Sequence, residues 1–386
     1  MNKVGIVDLF SGCGGLTDGF KKHGGFNTIA AVEWEKYPCE TLKKRLQDKW
    51  GYSNANEIVM QFDIQQTDDL LSGWNNDRYG EHKGLLNNIK SFGSPDVVVG
   101  GPPCQAYSVA GRIRDKDGMQ NDYRNYLFES YLKIVEGIGF PPVLIFENVL
   151  GILSAKPGGV SIIERIKKAF SLYGYSVIEN IRDNAVFNFA HYSVPQNRKR
   201  VIIIALSKKF FGKHSNKVLK GIYNSLNKQS NNESFLSVGE ALSGMDNFFP
   251  LKEEIKVDGK KYSHEPVKGK MLNSVPRYHS KRDISIFKIL TEDIKSGRNK
   301  YNNPEQLKKL YYEKTGKSSK VHKYNVLKLD RPGNTIPAHL YKDGLRHIHP
   351  DPKQSRTLTV REAARIQGFD DDFEFLGPIG EQYKMI

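Results

Sequence analysis

Apolar residues in the first half of the chain fall into short, β-branched runs, and each run closes on glycine or on a charged residue. Val4 to Phe10 is the first, entering Ser11-Gly12-Cys13-Gly14-Gly15 and then an amphipathic stretch to about His23. Thr28 to Val32 closes on Glu33-Trp34, and Ile58 to Phe62 on Asp63. Asp96 to Gly100 runs into Gly101-Pro102-Pro103-Cys104, and Val143 to Phe146 into Glu147-Asn148. Runs of this kind bounded by turn formers read as buried strands. Between them, spacing predicts helices over 36–47, 123–136 and 160–172, the last with Ile162, Ile163, Ile166 and Phe170 on one side. Five alternations of strand and helix argue for a parallel sheet covered on both faces. Tyr175 to Ile181 and Arg200 to Leu206 follow with no helix of useful length between them, as an antiparallel pair at one edge.

Beyond Ser207 the rhythm is lost. Asn224 to Ser234, rich in Asn, Ser and Lys, reads as a loop or linker. Regular structure returns at Thr359, which with Glu362 makes a capping box, and Gly368 is a helix stop. The expected organisation is one α/β domain built from 1–206 and 335–386, with 207–334 as a second, smaller domain.

Composition narrows this. The chain has 386 residues, 38% hydrophobic and 26% charged, which is ordinary globular usage. No run of eighteen apolar residues occurs, and no basic segment followed by a long apolar core opens the chain, so neither a membrane span nor a secretory signal is expected. The cysteines are Cys13, Cys39 and Cys104, an odd count without CxxC spacing. That argues against a disulfide framework and a cysteine zinc site, and fits a reducing cytoplasm. Net charge is +15, and it is concentrated: 207–334 carries 27 Lys or Arg against 13 Asp or Glu. A surplus held in one third of a chain points to a polyanionic partner, nucleic acid first.

Four strands, and Glu147 after a fifth, end in residues capable of chemistry, which suits a site at the carboxyl edge of an open sheet. A glycine-rich turn after the first strand lets a nucleotide-like cofactor approach the backbone. The phosphate-gripping G-x-G-x-x-G and Walker patterns are absent. Glu33 is placed to take ribose hydroxyls, Trp34 to stack on an adenine and Asp63 to accept from its exocyclic amine; each carboxylate is otherwise a helix cap or a solvated strand end. Together these features suggest S-adenosylmethionine before NAD. Glu147, after an apolar strand, is expected in partly dry surroundings with a raised pKa, suited to acid catalysis on a ring nitrogen, or else it caps the next helix. Arg198 and Arg200, two apart, are expected on one strand face, one orienting the carboxylate and the other binding a carbonyl oxygen. The prolines give Cys104 a stiff support. Its bland alternative is an inert buried thiol.

With these residues in view the chain resembles the DNA cytosine-5 methyltransferases. The resemblance rests on Asp8-Leu-Phe-Ser-Gly-Cys-Gly-Gly15, Glu33-Trp34, Asp63-Ile64, Gly101-Pro-Pro-Cys-Gln105, Glu147-Asn-Val149, Gln196-x-Arg-x-Arg200 and Arg361-Glu-Ala-Ala-Arg-Ile-Gln367, in the family's order over about two-thirds of the chain. It implies a Rossmann-like, S-adenosylmethionine-dependent α/β fold with a mixed seven-stranded sheet and a target-recognition domain at 207–334. It implies cofactor contacts from Phe10, Ser11, Gly12, Cys13, Gly14, Gly15 and Leu16. Glu33, Trp34, Asp63, Ile64, Pro103 and Leu127 would complete that pocket. Cys104 would add to carbon 6 of cytosine, Glu147 would hold the 4-amino group and ring nitrogen 3, Arg200 the 2-oxo group, and Arg198 would brace them. The target base would leave the duplex. The loop from Gln105 to about Asn121 would close over it, with Gln105, Ser108 and Arg112 on the DNA. The implied partner is double-stranded DNA, in a bacterial or phage restriction–modification or orphan setting, with a cognate endonuclease in the former; the implied location is the cytoplasm, on the nucleoid. No metal is expected.

One departure stands out. Family members continue past a Tyr-Lys-x-Ile segment into Gly-Asn-Ala-Val-Pro and a terminal helix, whereas this sequence stops at Lys384-Met385-Ile386. A shortened chain is expected, the alternative being a second polypeptide that supplies the piece; poor cofactor binding by 1–386 would follow. The rival functions are a tRNA cytosine-5 methyltransferase, disfavoured because its Cys-Phe-Thr tripeptide is absent, and a catalytically incomplete DNA-binding subunit.

Overall fold

A computed structural model describes residues 3–103, 127–231, 233–322, 324–338, 340–342 and 344–386. The chain divides into two compact units, one from 1–188 and 199–230, the other from 189–198 and 231–386.

The first unit is built on one mixed sheet. Its strands are β1 (Val4–Leu9), β2 (Phe26–Glu33), β3 (Val59–Gln61), β4 (Val97–Gly100), β5 (Val143–Val149), β6 (Tyr175–Val177), β7 (Val186–Asn188) and β8 (Lys199–Ser207). The order is β3-β2-β1-β4-β5-β8-β6, with β7 also paired to β8. The first five strands run parallel. β8 is antiparallel to β5, with Arg200 opposite Val149 and Leu206 opposite Val143. Seven strands on one path match the expected sheet, and the short β7 alongside is an addition the sequence did not suggest.

Helices α1 (Gly15–His23), α2 (Lys36–Asp48), α3 (Leu85–Phe92), α4 (Leu127–Gly137), α5 (Ile162–Leu172) and α6 (Ser215–Lys228) belong to this unit. Each buries one stripe: Leu42 and Leu46 of α2 pack with Ala31, Ile58 and Val59. Tyr131 of α4 donates its hydroxyl to the Val98 carbonyl at 2.9 Å. Ser161 caps α5 by accepting from the Glu164 amide. Tyr175 to Ile181 does not form one strand, since β6 ends at Val177 and Ile181–Asn184 makes a helical turn.

The expected linker at 224–234 is also corrected, because α6 runs on to Lys228. Its Leu219 and Tyr223 are fully buried four residues apart, and the Tyr223 hydroxyl accepts from the Ile204 amide and donates to the Ile202 carbonyl, each at 2.9 Å. Burial of that face overrides the weak helix propensity of the Asn and Ser residues.

The second unit has a core of Ile286, Phe287, Leu290, Leu310, Tyr324, Val326 and Ile348, drawn partly from the helices Lys281–Lys295 and Pro304–Thr315. A hairpin pairs Phe249–Val257 with Lys260–Glu265. The capping box at Thr359 is present in full, opening the helix Val360–Ile366, and Gly368 follows with φ 87°. Beneath that helix Arg356, fully buried, sends two nitrogens to Glu362 at 2.6 and 2.7 Å. The carboxylate also accepts the Thr359 amide at 2.7 Å. A guanidinium fork matched to a carboxylate in this way is stable inside a protein only because both partners are satisfied.

Candidate active site

At the end of β1 the chain turns sharply. Phe10 and Gly12 adopt left-handed φ of 61° and 56°, and Gly14, at 95°, caps α1. A side chain on Gly14 would meet Leu42 Cδ1 at 2.3 Å, whereas one on Gly12 would meet nothing within 4 Å. The turn is therefore packed on one side and open on the other.

Glu33, at the end of β2, closes this turn. Its Oε2 accepts the Gly12 amide at 2.9 Å, and its Oε1 accepts the amides of Trp34 and Glu35 at 2.8 and 2.9 Å. Burial lifts its carboxyl above the usual range, and the three amides oppose that lift. A carboxylate offers about four lone-pair sites, so Oε2 keeps one for a hydroxyl. Trp34 is 47% exposed, a free platform. Asp63 accepts from Gln65 through Oδ1 alone, leaving Oδ2. Ile64 and Leu127 are buried and Pro103 half-buried. An open glycine, a ribose-type acceptor, an exposed indole and an unused carboxylate oxygen fit an adenosine-bearing cofactor.

Asp8 entered the sequence reading only as the first residue of a motif, with no role of its own, and Thr17 did not enter it. Asp8 is fully buried, accepts the Thr17 hydroxyl at 2.6 Å through Oδ2, and its Oδ1 has no hydrogen-bond partner. Burial pushes its carboxyl up to about 7, the Thr17 hydroxyl opposing and the Glu33 charge adding. An acid inside an apolar strand was the available signal.

Two strands along, β4 and β5 end together. Glu147 Oε1 lies 2.8 Å from Arg200 Nε, with side chains 26% and 11% exposed. Arg200 spends Nη1 on the Lys199 carbonyl at 2.9 Å, and Nη2 has no partner among the described residues. A side chain on Gly101 would stand 3.0 Å from Glu147 Oε2, so the glycine makes room for the carboxyl. Asn148, buried, donates to the Pro102 carbonyl at 3.2 Å and accepts the Val149 amide at 2.9 Å. That side chain ties the proline turn, two residues before Cys104, to the strand that carries Glu147. Sequence reasoning placed Glu147 and Arg200 and missed the parts played by Gly101 and Asn148, although an asparagine ending an apolar strand was visible.

Cys104, Gln105, Ser108 and Arg112, with the closing loop from 105 to 121, lie outside the described residues. Arg198 does not share a strand with Arg200. The strand is interrupted at Arg198: Gln196–Asn197 pairs with Gly333–Asn334 in the second unit, while β8 begins at Lys199 in the first. Arg198 donates to the Ile336 carbonyl at 3.3 Å within the second unit. The remaining cysteines, Cys13 and Cys39, are buried thiols, and burial pushes both up, Cys13 to about 12. Among the described residues no group of three or more His, Cys, Asp or Glu is placed to hold a metal, and no helix is long and apolar enough to cross a membrane.

A mixed sheet with one antiparallel strand near its edge, a glycine turn and an acid closing the second strand define the class: an S-adenosylmethionine-dependent methyltransferase fold. The profile of the C-5 cytosine-specific DNA methylases matches residues 4–386, and the chain belongs to that family. It is 34% identical over 440 residues to the type II methyltransferase M.Bpa9945I of Bacillus paralicheniformis, covering 99% of this chain and 94% of that protein. It is 30% identical to the type II methyltransferase M.DdeI of Desulfomicrobium norvegicum, covering 97% and 80%. A crystal structure of a DNA modification methyltransferase encoded within an E. coli prophage shares the fold, with TM-score 0.57 and 21% identity over 99% of this chain and 97% of that one. The chain is thus a DNA cytosine-5 methyltransferase related to restriction–modification enzymes, and the family implies S-adenosylmethionine as methyl donor. The comparisons add no support for a second polypeptide.

Proposed function

We propose that the chain methylates carbon 5 of cytosine in a specific duplex DNA sequence through a Cys104 adduct on a flipped base. The observation that carries this reading is the Glu147–Arg200 pair at 2.8 Å, seated against Gly101 on the strand that Asn148 ties to the Pro102 turn. Those two side chains match the polar edge of a pyrimidine, and in the sequence Cys104 follows directly on the Pro102-Pro103 turn. Carbon 5 of cytosine is a poor nucleophile. Addition of the Cys104 thiolate to carbon 6 makes carbon 5 enamine-like, while Glu147 holds the 4-amino group and gives a proton to nitrogen 3. Arg200 keeps Nε on the carboxylate and offers Nη2 to the 2-oxo group. When bound, S-adenosylmethionine supplies an electrophilic methyl group; Gly12, Glu33, Trp34 and Asp63 would hold its adenosine. After transfer a base removes the carbon-5 proton and the Cys104 sulfur leaves, restoring the ring. Neither ring face is open to both reactants inside a stacked duplex, so the base must turn out. Target reading falls to the part of 207–334 that lies beyond Ser230, and the setting is a bacterial cytoplasm, in restriction–modification with a cognate endonuclease.

Bisulfite sequencing of DNA from cells expressing the chain tests this. Protected cytosines in one short sequence are expected. Cys104→Ser should abolish protection and leave DNA binding largely intact. Retained turnover in that variant discards the covalent route, and transfer of label to tRNA but not DNA discards the substrate.

A further inference from the structure

Between Asp183 and Glu233 the chain has no acidic residue, and from Ser207 to Ser230 it carries Lys208, Lys209, Lys213, Lys217, Lys220 and Lys228. Composition alone groups these lysines with the target-reading region. They fold instead with the sheet of the first unit, on the segment that leaves β8 and on α6.

Their place on that sheet is fixed by register. β8 runs antiparallel to β5, and the Ser207 amide donates to the Pro142 carbonyl at 2.9 Å, just before β5 begins. The lysines therefore start at the amino-terminal edge of the parallel strands, about 20 Å of strand away from Glu147. All six are exposed. None of them has a carboxylate partner among the described residues, and the one polar side-chain contact recorded is Lys208 Nζ to Ser171 Oγ at 3.4 Å. The Glu136 carboxylate, on the same edge, is engaged by the Tyr173 hydroxyl.

Helix stability does not account for the charges. Lys217 sits in the first turn of α6, where the helix dipole disfavours a cation. Lys217 and Lys220, three apart, share one face of the helix. Exposed lysines without carboxylates recognise point charges in series, which is the chemistry of a phosphate backbone and not of base edges.

We propose that this amino-terminal edge is a second contact surface for duplex DNA, holding phosphates of a stretch other than the one that carries the target cytosine. A straight duplex lying across the carboxyl edge does not reach the opposite edge of the sheet, so the second stretch belongs to a bent or separate segment. The surface rests on duplex DNA being the substrate, and it would keep the enzyme on long DNA between target sites.

The test replaces Lys208, Lys209, Lys213, Lys217 and Lys220 together by Gln, with the corresponding five Arg replacements as rescue. The readouts are the salt dependence of binding to long duplex DNA of random sequence and single-turnover methylation of a short duplex spanning one target. With each contact worth about 0.9 in slope, the Gln variant should show a log K against log salt slope shallower by about 4, restored by Arg. Methylation of the short duplex should be unchanged. A slope equal to wild type overturns the surface, as does tighter binding to RNA than to duplex of equal length that is lost in the Gln variant. A slope difference in a protein that methylates no DNA leaves the surface standing and overturns the substrate instead.

Discussion

Lowering the pH from 7 to 5 should loosen the second unit through its buried histidines. His264 sits between the Ser263 hydroxyl at 3.0 Å and the Gln354 carbonyl at 2.9 Å, with the His279 ring 5.9 Å away. His349 accepts the Asp351 amide at 3.2 Å and lies 3.6 Å from Glu362. Burial, with Arg356 nearby, holds both rings down to about 4, although Glu362 and Asp351 pull His349 the other way. His279, whose Nε2 accepts the Thr357 amide, lies well below its ordinary range for the same reason. A histidine unfolds to about 6.5, so between 6.5 and 4 the unfolded chain binds protons that the folded chain refuses, and stability falls as pH falls. At pH 5 the unfolded ring is nearly all charged and the folded ring mostly neutral. The loss from pH 7 to 5 is about 2 kcal/mol for each of His264 and His349, about 4 kcal/mol together, and His279 adds to it in the same direction. Glu362, held at about 2 by Arg356 against its own burial, stays charged throughout and adds nothing to the slope.

Hydrogen-exchange mass spectrometry of peptides covering 260–290 and 345–366 reads this directly. Protection corrected for intrinsic rates should drop by at least about a thousandfold between the two pH values, the equivalent of about 4 kcal/mol from His264 and His349 alone. His264→Gln, whose amide can still donate to the Gln354 carbonyl, should reduce the effect by about 2 kcal/mol. Unchanged protection between pH 7 and 5, or a His264→Gln variant with the full wild-type slope, refutes the assignment.

Two further outcomes concern the first unit. Asp8, raised to about 7, behaves in the opposite sense: its contribution is fully present below its unfolded value near 3.9 and is lost as pH rises through 7. Asp8→Asn keeps the acceptor for Thr17 and should stabilise this unit by about 4 kcal/mol at pH 8 and by only about 1.5 kcal/mol at pH 5, because the folded carboxyl either takes up a proton that the unfolded chain has lost or bears a buried charge. All three tryptophans, Trp34, Trp50 and Trp74, lie in this unit, so urea unfolding followed by indole fluorescence reports it. Gly101→Ala would place a methyl 3.0 Å from Glu147 Oε2 and displace the carboxyl from Arg200. The turnover number for methylation should fall at least about tenfold while stability changes by less than about 1 kcal/mol, as measured by steady-state kinetics and thermal melting.

How much was legible depended on how each residue's environment was written into the chain. Strand ends at Glu33, Asp63, Gly101 and Glu147 were visible because each stops a β-branched run, and parallel strands buried on both faces keep such runs unbroken. Helix α6 was half hidden, since Asn and Ser masked an apolar stripe that only packing reveals. The break at Arg198 was invisible, because pairing of Gln196–Asn197 with Gly333–Asn334 is a contact between segments more than a hundred residues apart. The Arg356–Glu362 pair was equally silent: nothing in a local charge pattern says which carboxylate goes inside. Periodicity reports which face a residue takes, and it carries no information on partners brought from far along the chain.

The two units alternate along the chain, since 189–198 leaves the sheet for the second unit and 199–230 returns. β8 then inserts between β5 and β6, both made earlier on the ribosome. During synthesis, therefore, β5 and β6 must emerge and wait with open edges until residue 207 has been added, and the second unit cannot finish until the last part of the chain appears. No single peptide-bond cleavage can separate the two bodies into self-contained fragments, so any attempt to divide this chain into its two units has to cut in more than one place.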